Sequence, residues 1–134
     1  MSVERATEVM TRLWDSGHSD VGMMAEDVVF TLMATGQEYR GREGVSQMFE
    51  YFYRDAFDAR AESSKLIVAD GIAVFKGDFV GEHTGEFAGI PATNKPVRVP
   101  LCVVYDLEND EIKRGRVYFE IPVLVQQLGL ETAS

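Results

Sequence analysis

Cysteine is almost missing from this chain: one residue, Cys102, stands among 134. A lone thiol excludes an internal disulfide. Its place in the apolar run "VPLCVVY" suits a buried, inert side chain better than a nucleophile. Histidine is nearly as scarce, with only His18 and His83. Without a cluster of cysteines and histidines at ligand spacing, no zinc or other metal site is expected. Positive charge is also in short supply, 13 basic residues against 22 acidic ones, for a net charge of −9. The densest basic stretch is only "KRGR" at 113–116. That balance argues against binding nucleic acid, whose phosphates call for a concentrated basic surface. Long apolar runs are absent too, and none approaches the roughly 20 residues that cross a bilayer. The opening "MSVERATEVM" carries acidic residues and no apolar core, unlike a secretory signal. A cytoplasmic protein without membrane association is the expectation.

What remains is ordinary for a globular domain: 46% apolar and 26% charged residues. There is no internal repeat, low-complexity tract or linker, so residues 1–134 are expected to form one domain. A chain of this size buries roughly two thirds of the surface its unfolded form exposes.

The first segment, "SVERATEVMTRLWDSG", sets Val3, Ala6, Met10, Leu13 and Trp14 on one stripe, which predicts a helix closed by Gly17. A helical turn around "SDVGMMAED", with Ser19 as cap, and a strand over "VVFTLMAT" are expected next. Val45, Met48, Phe49 and Phe52 recur at helical spacing in "EYRGREGVSQMFEYFYRDAF". From about residue 60 to 121 the pattern is β. Asp70-Gly71 and "ENDE" mark two hairpins, and "PVLVQQLGL" predicts a short closing helix with Pro122 in its first turn. Helices followed by a run of antiparallel strands give an α+β domain.

The second hairpin predicts which side chains share a face. If Leu107 opposes Ile112 and the pairing continues unbroken, Val103 faces Arg116, Leu101 faces Tyr118 and Val99 faces Glu120. On the strand before it, Phe75, Phe79 and Phe87 alternate with charged residues, which turns His83 inward. If Phe87 lies beside Val97, His83 comes near Leu101. Glu120, His83, Tyr118 and Arg116 would then converge on one apolar wall. The opposite face of the sheet, also apolar and without helices, would be free to pack on a second copy of the chain.

Three segments in this order, "YRGREGV" before a helix, "GEHTGEFAGIP" and "RVYFE…VLVQQLGL", resemble the SnoaL-like polyketide cyclases of the nuclear-transport-factor-2-like superfamily. The resemblance spans nearly the whole chain. It implies a cone-shaped fold, with helices packed into a strongly bent antiparallel sheet around an internal apolar cavity, and homodimers through the outer sheet face. It also implies cofactor-independent chemistry, in which a carboxylic side chain moves protons during ring closure of a polyketide ester. That side chain falls at Glu120, where the group typically carries aspartate. The histidine that such cyclases place on the penultimate strand has no match in "LCVVYDLE".

The candidate acid/base pair is therefore Glu120 and His83. Glu120 serves as base or acid if an apolar pocket raises its pKa, or as a structural carboxylate if Arg116 pairs with it. Tyr118, Arg116, Trp14, Tyr53 and Leu101 form the candidate substrate-binding set. Two functions fit: acid/base catalysis of the cyclase, isomerase or lyase type on a small hydrophobic carbonyl compound, or a homodimeric module that binds such a molecule without turnover.

Overall fold

The computed structural model describes residues 2–129. Helix α1 (Val3–Asp15) starts where the Ser2 hydroxyl accepts the Arg5 N–H, and it buries Ala6, Val9, Met10 and Leu13. Strands β1 (Met24–Leu32) and β2 (Gln37–Arg40) form a hairpin. Helix α2 (Gly41–Glu50) runs directly into a π-helical turn at Tyr51–Asp55, closed by the Ala56 N–H donating to the Tyr51 carbonyl. Strands β3 (Phe57–Ala69), β4 (Ile72–His83), β5 (Pro96–Glu108) and β6 (Glu111–Phe119) follow as a meander, and helix α3 (Ile121–Gln127), with proline in its first turn, is the last element among the described residues. Part of the expected closing stretch, Leu130, lies outside the described residues.

The six strands of the described residues form one bent, open sheet in the order β2-β1-β6-β5-β4-β3. All neighbours are antiparallel except β1 and β6, which run parallel. This departs from the expected all-antiparallel sheet. The meander returns its last strand to the flank of β1, and the helical crossover between β2 and β3 allows the two to share a direction. Helices α1 and α2 pack on the concave face, where Phe30, Phe57, Phe75, Val99 and Ile112 are buried. Gln127 ties α3 to β5: its side chain accepts the Arg98 N–H and donates to the Arg98 carbonyl.

The register of β6 differs from the expected one, and the reason is local. Asn109 and Asp110 both take the left-handed conformation (φ 53° and 62°), which makes a two-residue hairpin turn. This fixes Glu108 opposite Glu111 and Leu107 opposite Ile112, as expected. Immediately afterwards the ladder slips, because Asp106 pairs with Arg114 and leaves Lys113 as an extra residue on β6. Every later side chain on β6 changes face. Val103 now opposes Val117, and Leu101 opposes Phe119. Without this bulge, Arg114, Arg116 and Glu120 would point into the core. Burying even one unpaired charge costs several kcal/mol, whereas an interrupted ladder forgoes roughly one hydrogen bond, worth about 1 kcal/mol net. The bulge is the cheaper solution.

Two other expectations need correction. "SDVGMMAED" is not a helical turn: the Ser16 hydroxyl, rather than Ser19, accepts the Ser19 and Asp20 N–H groups, and the chain enters β1 at Met24. On β4, Phe75, Phe79 and His83 do face inward, but Leu101 pairs with Gly77. His83 is therefore six residues further along the strand than expected, on the order of 20 Å away.

Gly115 follows the bulge on the inner face, where an added Cβ would lie 2.7 Å from the Phe30 ring. Gly115→Ala is expected to destabilise the fold by about 1–3 kcal/mol in urea unfolding, because the 1% exposed Phe30 has no room to retreat. Lys113→Ala should leave stability within about 0.5 kcal/mol, since the surface bond of Lys113 to Asp27 is worth little.

Candidate functional site

Between the helices and the concave face of the sheet lies a small pocket with a cavity volume of about 50 Å³. Its walls are Trp14 and His18 at the end of α1, Met48, Phe49, Phe52 and Tyr53 from α2 and the π turn, and inward side chains of β1, β4, β5 and β6. The π turn sets Phe52 and Tyr53, consecutive residues, against the same hollow. Among the described residues, no carboxylate, lysine or arginine lines the pocket. Its polar groups are one indole, one imidazole and the two phenols of Tyr53 and Tyr105.

The way α1 ends puts two of these groups together. After the C-cap Ser16, Gly17 (φ 63°) donates its N–H to the Trp14 carbonyl, and the His18 N–H reaches the Leu13 carbonyl. This paired termination folds the residue after the glycine back over the last turn of the helix. Here that residue is His18, itself left-handed at φ 60°, an uncommon conformation for a non-glycine residue. Arg54 of the π turn holds the cap, its Nη2 donating to the Gly17 carbonyl at 3.0 Å.

The His18 imidazole meets the Trp14 ring edge-on at 4.4 Å, stacks on Tyr53 at 4.7 Å and touches Phe49 at 5.2 Å. Burial in this aromatic box, followed by the Arg54 charge, lowers its pKa from 6.5 to about 4, so the ring is neutral at physiological pH. Burial likewise raises the Tyr53 and Tyr105 phenols well above their usual value, and both stay protonated. The Trp14 Nε1–H is buried without any hydrogen-bond partner. An indole can only donate, and in a residue that lines the pocket this donor is unused.

The residues expected to converge here do not all do so. Trp14, Tyr53 and Leu101 line the pocket. Glu120 does not: it is exposed at the N-cap of α3, where its carbonyl accepts the Val123 and Leu124 N–H groups while its side chain makes no cap bond. Tyr118 is 43% exposed on the outer face. Arg116 is outside as well and pairs with Asp106 at 3.0 Å rather than with Glu120. The bulge at Lys113 accounts for all three. His83 is fully buried, but not in this pocket. Its Nδ1 accepts the Thr93 N–H, its ring lies on Phe57, and its Nε2 has no partner. His83 thereby latches the loop after β4. The residue that sequence reasoning passed over is His18. The available signal was its place one residue beyond the Gly17 helix stop, which returns a side chain to the helix it has just left.

Because the folded state resists protonating His18 and the unfolded chain does not, stability should fall as pH drops from about 6.5 to about 4 and change no further from this source below that. The shift corresponds to at most about 3 kcal/mol. Denaturant titrations of the wild type and of His18→Phe across that range should show the difference, with the variant losing less stability on acidification.

The SnoaL-like polyketide cyclase family model matches residues 4–128. No curated protein shows significant sequence similarity to the chain. Among solved structures, a candidate SnoaL-like polyketide cyclase of Jannaschia sp. CCS1 superposes with a TM-score of 0.85 at 17% identity, covering 96% of this chain and 94% of that one. TsrD from Streptomyces laurentii gives 0.80 at 20% identity, with 98% and 99% covered. A phenazine biosynthesis-related protein from Pseudomonas aeruginosa gives 0.80 at 15% identity, with 98% and 85% covered. These likenesses are of fold, the bent α+β cone of the nuclear-transport-factor-2-like type. With a family match over nearly its whole length, the chain belongs to the SnoaL-like polyketide cyclase family.

Proposed function

We propose that the aromatic pocket binds a small, largely apolar molecule through one oxygen atom, either a carbonyl or a hydroxyl. The observation that carries this reading is the buried, unpartnered Trp14 Nε1–H. An unused donor inside a fold costs about 1–3 kcal/mol, and an acceptor oxygen on a ligand would recover that. Tyr53 and Leu101 flank the same space, one with a protonated phenol and one with an apolar wall. A ligand that carried a net charge would lose its hydration and find no counter-charge, so neutral compounds are favoured.

Acid/base work of the cyclase or isomerase type, without a cofactor, then falls to uncharged groups rather than to Glu120. Binding without turnover is the second reading, and it is favoured because none of the described lining residues is a carboxylate. Both readings keep the homodimer as the working unit. On the outer face, Ile67 (50% exposed) pairs with Val74, which pairs with Val104, while Ile72 (39%) and Tyr118 (43%) lie close by. That apolar row is where a second copy would seat.

The chain has a single tryptophan, so its emission reports on the pocket alone. Titration with a panel of small ketones and alcohols should change that emission for at least one member. Trp14→Phe, which keeps the ring and loses the N–H, should weaken binding of that compound roughly 2- to 10-fold by calorimetry. Glu120→Gln should bind it unchanged. A panel with no responding member at millimolar concentration would sink the proposal.

A further inference from the structure

The hollow is small for any ring compound: about 50 Å³, against the roughly 150 Å³ in which a benzene is held. A larger guest needs one wall to give way, and most of the walls are fixed. The sheet side chains stand on paired strands, and the end of α1 is clamped at Gly17 by Arg54. Phe52 is different. Its ring is half-buried and leans on Tyr51 at 5.2 Å, Phe119 at 5.9 Å and Phe87 at 6.0 Å. Phe87 belongs to residues 84–95, the strap that joins β4 to β5, and is the buried side chain of that otherwise open segment.

The strap is fastened at both ends and at two points between. At the ends, the Thr84 and Gly85 N–H groups donate to the Ala56 carbonyl, and the Asn94 N–H donates to the His83 carbonyl. Between them, the Ala88 N–H donates to the Tyr51 hydroxyl at 3.0 Å, and the Thr93 N–H donates to His83 Nδ1 at 3.1 Å. Two features work against this closed arrangement. Ala88 sits at φ 49°, a region that its Cβ disfavours. Because His83 Nδ1 accepts, the ring proton is on Nε2, a buried donor without a partner.

We infer that residues 84–95 are a hinged lid on the pocket, closed in this structure and opened by a ring-sized guest. When the strap lifts, Phe87 leaves Phe52, and the Phe52 ring turns into the vacated space while the backbone of the π turn stays in place. Water then reaches His83 Nε2, and Ala88 is free to leave the left-handed region. The lid rests on the reading of the pocket as a binding site and sets its size limit. Closed, the pocket admits only the smallest ketones and alcohols; open, it admits a neutral ring. Such a ring binds only the open fraction of molecules, so whatever loosens the strap raises its apparent affinity by the same factor.

Tyr51→Phe supplies the test, since Tyr51 is not among the lining residues and the variant keeps its ring while losing the hydroxyl that holds Ala88. Cyclohexanone is the probe, its binding measured by calorimetry. The variant should bind it roughly 2- to 10-fold more tightly than the wild type, the worth of one neutral hydrogen bond. Amide hydrogen exchange at Ala88 and Thr93 should quicken by the same factor, with the β4–β5 ladder unchanged. In the wild type, saturating cyclohexanone should also speed exchange at these two amides, because the guest holds the lid off; an ordinary ligand slows it. Equal or weaker binding by the variant overturns the lid, as does slowed or unchanged strap exchange in the wild-type complex. The pocket reading still stands in those cases if acetone changes the Trp14 emission. If neither cyclohexanone nor acetone binds either protein, both readings fall. Should Tyr51→Phe fail to fold, the exchange measurement on the wild type decides alone.

Discussion

One extra residue on β6 governs what this molecule can do. The turn at Asn109-Asp110 sets the hairpin in register, Ile112 enters the core, and then the strand must dispose of Arg114, Arg116 and Glu120. Strict alternation would place all three beneath the helices. By leaving Lys113 unpaired, the strand turns Gly115, Val117 and Phe119 inward and sends the charges to the surface. Arg116 then finds Asp106 on the neighbouring strand, and Glu120 ends up in water at the start of α3. The uncharged pocket is a direct result. With the carboxylate removed from the hollow, the polar groups left there are those of α1 and its stop, the π turn and Tyr105.

The helical side of the pocket is held as firmly as the sheet side. The α1 stop folds His18 back against Trp14, and the π turn carries Tyr53 beneath it and Arg54 across to the Gly17 carbonyl. A π turn widens a helix by one residue per bond and often marks a working site. Here it allows two successive aromatic side chains to face one space. The result is an aromatic box with one idle donor, and the neutrality of its imidazole follows chiefly from burial.

Much of this was legible in the sequence. The stripes of α1 and α2, both hairpin turns, the alternation on β4 and the family resemblance led to the right fold. The candidate site was less legible, because it depended on parity along β6. Ile112 is even, whereas Val117 and Phe119 are odd, and the apolar set therefore changes face somewhere between them. That change of parity was the visible mark of a bulge, and an unbroken ladder overlooks it. The β4–β5 pairing was harder to foresee, because the loop from 84 to 95 has a length compatible with several registers. His18 escaped notice for another reason. A residue beyond a helix stop reads as loop until the geometry of the stop itself is followed.

The register of β6 can be read directly from cross-strand proton contacts between backbone groups in solution. The account predicts contacts of Val103 with Val117, Tyr105 with Gly115 and Leu101 with Phe119. Contacts of Val103 with Arg116 and of Leu101 with Tyr118 would contradict it. They would return Glu120 to the interior and remove the basis for an uncharged pocket.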